Sequence, residues 1–263
     1  MAVLLAKLLL APLCVVAVSL AGRRWGVAVA GVLGGLPVVA GPILLVLTLV
    51  HGPSFGSEAA AGTLLGLAAL TLFVVVYGRV AERTGPVPSL LAGWAAFLLG
   101  VAFLRLLDLP VGVALILVAA GFAAGLVFLP APTAPPAVAT APPWWDLPGR
   151  ALAALALVVG LTAASGALGP HLSGLLAPFP IVTSVLAVFT HASGGPDQVR
   201  VLLRNFLVGF YGFAAFCFVL AWGLDSLSEA AAFSTALAGA LAVQTTIFAL
   251  SSRRLRPQAA EGG

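Results

Sequence analysis

The sequence predicts an all-α fold, a polytopic transmembrane helical bundle of about nine helices. The first observation is composition: of 263 residues, 62% are hydrophobic and 8% charged, where a water-facing surface needs about a quarter charged. A bilayer is the solvent that accepts such a chain, and only helices or closed barrels cross it. The second is run length. The apolar stretches are continuous over about twenty residues, the length a helix needs to cross the hydrocarbon, and do not alternate over about ten as barrel strands do. The third is that Arg and Lys fall almost entirely on one side once nine crossings are counted.

Taken in order, the expected crossings are residues 2–21, 25–50, 59–78, 87–104, 109–129, 151–169, 171–190, 199–223 and 230–252. The first carries Lys7 and could open a secretory signal, but no small-residue cleavage site precedes Arg23 and Arg24, so a retained helix is expected. The second and seventh are punctuated by glycine and proline. The stretch from Pro130 to Gly149, PAPTAPPAVATAPPWWDLPG, is too rich in proline for helix and reads as a semi-rigid linker. Trp144 and Trp145 at its end suit the headgroup zone.

Nine crossings put Arg23, Arg24, Arg79, Arg83, Arg150, Arg200, Arg204, Arg253, Arg254 and Arg256 on one face. The other receives Lys7, Arg105, Glu58, Asp108, Asp225 and Glu229. The positive-inside rule then places the N-terminus outside and the C-terminal tail in the cytoplasm. One Lys and one Asn against eleven Arg in an Ala/Gly/Leu/Val background suggest a GC-rich bacterial genome, hence a bacterial cytoplasmic membrane. The basic residues lie singly or in pairs over loops, so no nucleic-acid partner is expected. The expected partners are the lipid bilayer and an unknown small molecule or ion; self-association into a homo-oligomer is left open.

Two segments share a design. GVLGGLPVVAGPILLVLTLVHG, Gly31 to Gly52, and HLSGLLAPFPIVTSVLAVFTHASGG, His171 to Gly195, each open with a small-residue stretch broken by proline and close on a histidine. Aligning His51 with His191 sets an offset of 140, which also pairs Gly34 with Gly174, Leu36 with Leu176, Leu67 with Leu207 and Phe73 with Phe213. Four crossings, a lone fifth and four more would invert the second block relative to the first. The expected domains are a first repeat (1–107), the connector with its Pro-rich loop (108–149), a second repeat (150–252) and a cytoplasmic tail (253–263). Inverted repeats with broken helices at matching positions point to a transport site, because unpaired backbone in lipid must face protein, water or ligand. The alternative is that these prolines and glycines only kink helices or let them pack closely.

The candidate substrate-binding residues are therefore Pro37, Gly41 and Pro42 in the second crossing and Pro178, Pro180, Thr183 and Ser184 in the seventh, joined by Arg204 and Asn205 at the start of the eighth. His51 and His191 are candidates for gating or proton binding, with residence at the membrane interface as the competing role. Arg200 and Arg204 could instead snorkel toward lipid phosphates. Gln244, Thr245 and Thr246 are expected to hydrogen-bond between helices. Asp108 beside Arg105 reads as a solvated pair. Cys14 and Cys217, deep in apolar runs, read as small hydrophobes; no spacing suggests a metal or cofactor. No HExxH, GxSxG or P-loop is present, and no two carboxylates fall together within a crossing, so enzyme chemistry and ATP-driven transport are not expected.

The stretch GLLAPFPIVTSVLAVFTHASGG, with Gly174, Phe179, Pro180, Thr183, Ser184 and His191, resembles the signature of the GlpM-like small inner-membrane proteins. The aromatic segment Val201 to Trp222, with Phe206, Tyr211, Phe213 and Trp222, is similar to that family's next helix. The likeness covers roughly residues 150–250; in the first half Val39 and Ala40 stand where Phe-Pro would. It implies a bacterial envelope protein loosely tied to exopolysaccharide production. Two functions thus stand as expectations: a secondary transporter or permease, and a non-transporting scaffold or assembly factor for envelope polysaccharide machinery.

Overall fold

The computed structural model describes residues 2–104, 106–107, 109–133, 143–160 and 179–254. They form α1 (Ala2–Trp25), α2 (Val27–Gly34), α3 (Ala40–His51), α4 (Pro53–Val80), α5 (Pro86–Leu104), α6 (Val111–Phe128), a helical stretch over residues 146–160 (α7), α8 (Ile181–Gly223) and α9 (Glu229–Arg254). Among the described residues there is no strand. Six helices, α1, α4, α5, α6, α8 and α9, are long and apolar enough to cross a membrane. The chain is a polytopic helical membrane protein.

Three glycines set the joints. Gly26 (φ 97°, ψ 161°) separates α1 from α2, and Gly52 (φ 94°, ψ 168°) separates α3 from α4. Gly195 (φ 73°, ψ −174°) divides α8 into a first limb, residues 181–194, and a second limb, residues 196–223. An extended ψ with positive φ is a conformation that only glycine adopts cheaply. Pro53 and Pro196 follow two of these joints, and proline suits the first helical turn because its missing N–H would have had no partner there. The connections expected between residues 50 and 59 and between 190 and 199 thus shrink to one glycine each, and the following helices begin earlier than expected, at Pro53 and Pro196.

The same backbone features recur 143 residues apart. Pro37 centres a tight turn in which Val38 N–H donates to Leu36 C=O at 2.8 Å; Pro180 (φ −76°, ψ 61°) centres its counterpart, Ile181 N–H to Phe179 C=O at 2.8 Å. Those dihedrals are those of an inverse γ-turn. In the following turn Gly41 N–H reaches Pro37 C=O (2.8 Å) as Ser184 N–H reaches Pro180 C=O (2.9 Å). The joints Gly52-Pro53 and Gly195-Pro196 keep that spacing. It also aligns Gly26 with Gly169, Gly31 with Gly174, Gly66 with Gly209 and Phe73 with Phe216. At this spacing, rather than the expected 140, Thr48 stands at the position corresponding to His191.

The core is built on α4 and the second limb of α8. Leu64, Phe73 and Tyr77 of the one and Leu202, Leu203, Phe206, Leu207 and Phe210 of the other are fully buried. The two run antiparallel: Ser57, early in α4, donates to Ala221 C=O, late in α8 (2.8 Å), while Arg200, early in the second limb, reaches Glu82 beyond the end of α4 (3.4 Å). α5 flanks α4 as α9 flanks α8, and α6 lies against both central helices. Leu99, Phe103, Ile116, Val127 and Phe248 turn outward, as a lipid-facing surface requires. The start of the seventh expected crossing, with His171 and Pro178, lies outside the described residues, as do Arg105, Asp108 and most of the Pro-rich stretch.

Candidate functional site at the helix breaks

At 1.5 Å per residue, α3 spans about 18 Å and the first limb of α8 about 21 Å. Each is shorter than a hydrocarbon layer of about 30 Å, so neither half-helix crosses one alone. The broken segments meet: a Cβ placed on Gly34, the last residue of α2, would lie 3.2 Å from Leu186 Cδ1 in the first limb.

The first limb presents a polar lane to the core. Thr183, Ser184, Thr190 and His191 are all buried, and a seven-residue spacing brings each pair onto one helix face. Trp94 of α5 donates its indole N–H to Ser184 Oγ at 2.9 Å. Tyr77 of α4 brings its hydroxyl 3.4 Å from His191 Nδ1. Phe179, beside the proline turn, packs on Trp94 and Phe97 with ring centroids 5.2 and 5.8 Å away. His191 is 6% exposed, so the expectation that it sits solvated at the interface is corrected: the crossing of the first limb with α4 encloses it. His51, by contrast, is exposed, its ring tilted against Phe55 with centroids 4.7 Å apart.

At the other break, Pro37 and Gly41 are buried and Pro42 half-buried. Leu36 comes within 3.3 Å of where a Gly212 Cβ would stand, and Gln244 Oε1 within 3.0 Å of the same point. Gln244 Oε1 is buried with no hydrogen-bond partner among the described residues. Thr245 and Thr246 donate back to Leu241 and Ala242 C=O of their own helix, so the hydroxyls of this trio do not make the expected bonds between helices.

Arg204 and Asn205 belong to neither break. Arg204 Nη1 donates to Leu126 C=O (3.0 Å) and Leu129 C=O (2.7 Å), Arg79 Nε to Phe128 C=O (2.9 Å), and Arg200 Nη1 to Ala131 C=O (3.2 Å). Three guanidinium groups thus occupy the carbonyl end of α6, where last-turn carbonyls lack helical partners and the helix dipole is negative. Arg204 thus rests on carbonyls at the end of α6. Asn205 donates to Val201 C=O of its own helix (2.8 Å), and its Cβ lies against Gly31. Replacing Arg204 with Met should lower unfolding stability by about 2 kcal/mol, since two carbonyls lose a charged donor. Thermal unfolding in mild detergent checks this; an unchanged midpoint would mean that the clamp carries no load.

The sequence reading missed Trp94 and Tyr77. Each puts a hydrogen-bonding group inside an otherwise apolar crossing, and a buried indole N–H or phenol usually has a partner. That was the available signal. Comparison with protein-family models, with curated proteins and with solved structures gives no match.

Proposed function

We propose that the chain is a permease, a secondary transporter of two inverted four-crossing halves joined by α6, with its site between the broken second and seventh crossings. The observation that carries this is the proline turn recurring 143 residues apart, each followed by a half-helix that ends in a Gly-Pro joint. A γ-turn within a membrane crossing frees main-chain groups that lipid cannot satisfy, and transporters place such irregular backbone where a substrate binds. The antiparallel pairing of α4 with the second limb of α8 is what inversion of the halves requires. The arginine distribution supports an outside N-terminus and a cytoplasmic C-terminus in a bacterial inner membrane.

On this reading Pro37, Gly41 and Pro42 border the site from one half, and Pro180, Thr183 and Ser184, with Trp94, from the other. The substrate is a small molecule or ion whose identity follows from uptake assays. The competing function, a scaffold in envelope or exopolysaccharide production as the GlpM-like resemblance suggests, draws support from the same Trp94–Ser184 bond, because a lane that satisfies itself internally can also be a dry packing contact.

One labelling series separates the two. In a Cys14→Ala, Cys217→Ala background, cysteine at Ser184 is expected to react with a small charged thiol reagent that cannot cross lipid. A scaffold with a dry core leaves it unmodified. In the same background, cysteines at the exposed Ser54 and Ser193 should label from opposite faces of oriented vesicles; labelling from one face removes the inversion.

A further inference from the structure

The buried lane contains one residue whose charge changes near neutral pH. We propose that His191 is a proton-binding site, neutral while it rests on Tyr77 and protonated when the first limb of α8 swings away from α4 about Gly195. This deepens the permease reading by supplying its coupling ion, and its test reads protonation and helix movement rather than transport, so either can fail alone.

The argument starts from the hydrogen bond. With its proton on Nε2, a neutral imidazole accepts the Tyr77 O–H at Nδ1, the two atoms lying 3.4 Å apart. Adding a proton to that nitrogen consumes its lone pair and makes it a donor. The phenol must then turn its hydrogen elsewhere and accept, and the edge-on ring contact, centroids 5.9 Å apart, has to rearrange. The new positive charge also needs compensation. In the first limb's neighbourhood, α2, α5 and α6 carry no ionisable side chain. α1 offers Arg23 and Arg24, α7 Asp146 and Arg150, and α9 Glu229 with Arg253 and Arg254. Arg150 lies over Phe189 at 5.2 Å and repels a cation. Asp197 and Glu82 are both engaged with Arg200 at 3.4 Å, and Asp197 also accepts from Thr133. α4 itself carries Glu58 and Arg79, and its Tyr77 is the titratable group that a hydrogen bond and a ring contact join to His191; it is neutral. A buried imidazolium without a counter-charge costs several kcal/mol, so the protonated form gains by opening to water or to an anion.

The hinge is in place. Gly195 lies four residues beyond His191 in a conformation free of side-chain restraint, and a Cβ there would meet nothing within 4 Å. In the other half the equivalent position is Thr48, whose hydroxyl bonds to Leu44 C=O of its own helix (2.8 Å). The device is therefore one-sided, with one proton per chain.

The test uses the full-length protein in nanodiscs, with spin labels at the exposed Leu91 of α5 and Ala192 of the first limb. Their separation should increase between about pH 8 and about pH 5. His191→Gln should abolish the change, and Tyr77→Phe, which removes the donor favouring neutral imidazole, should move its midpoint to higher pH. In a His51→Gln, His171→Gln background, imidazole ¹⁵N spectra should show the remaining histidine protonating over the same range. A ring that stays neutral to pH 5, a separation that does not follow protonation, or a change that His191→Gln retains would each overturn the proposal.

Discussion

Valine at Gly209 is expected to cost about 3 kcal/mol of stability, the upper part of the range for forcing extra carbon into a packed core. A Cβ at this position would collide with Val32 C=O and stand 2.9 Å from Gly35 Cα. The reverse face is equally tight: a Cβ on Gly31 would lie 2.5 Å from Leu202 C=O, and one on Gly35 2.7 Å from Phe206 C=O. Here α2 and α8 cross backbone to backbone, the close approach that small residues permit in membranes. The obstructing atoms are main chain and have no rotamer to adopt. Gly62, exposed on α4 with nothing within 4 Å of its would-be Cβ, is the control: Gly62→Ala should be neutral or stabilise by up to about 1 kcal/mol. Thermal unfolding of both variants in mild detergent decides. An unchanged or raised midpoint for Gly209→Val would mean that helix propensity, not the crossing, governs the effect.

Asp146→Asn is expected to cost about 3 kcal/mol. The Asp146 carboxylate is held between Arg23 (2.7 Å) and Arg150 (2.9 Å), tying the end of α1 to the start of α7. Its side chain is 6% exposed and that of Arg150 11%, so the amide would leave a buried guanidinium unpaired. Arg23, a third exposed, contributes less because water screens it. Burial alone would push the carboxyl pKa up, but hydrogen bonds and attraction from Arg150 and Arg23 outweigh it and hold it below its ordinary value. A lowered folded-state pKa gives stability that is present above the unfolded value, about 3.9, and is lost as pH falls through the folded one. The gap between wild type and Asp146→Asn should therefore be full at neutral pH and close below about pH 4. Parallel unfolding curves at all pH values would show that the pair is not the source.

Much of this architecture was legible in the residues. Continuous apolar runs can only be helices in lipid, and Pro37 and Pro180 mark the interruptions because proline cannot continue a helix. The spacing at which these features recur was less so. Aligning the two histidines was natural because histidine is rare here, yet the features that recur are glycine joints and proline turns, which impose backbone geometry whatever side chains surround them. Thr183 and Ser184 follow Pro180 closely and so lie beside the break, while the indole partner of Ser184, Trp94, comes from a different helix.

By itself, then, the sequence determined the apolar medium, the all-α class and the breaks at Pro37 and Pro180, because each follows from local chemistry: the cost of bare backbone in lipid and the missing N–H of proline. Tertiary structure decided what the arginines and His191 do. The carbonyls that Arg79, Arg200 and Arg204 clamp are main-chain atoms 49 to 78 positions away, and every residue has one, so no sequence pattern announces them. His191 is enclosed for the same kind of reason. Its burial is a property of how the first limb of α8 crosses α4, and it exists only once both helices are in place.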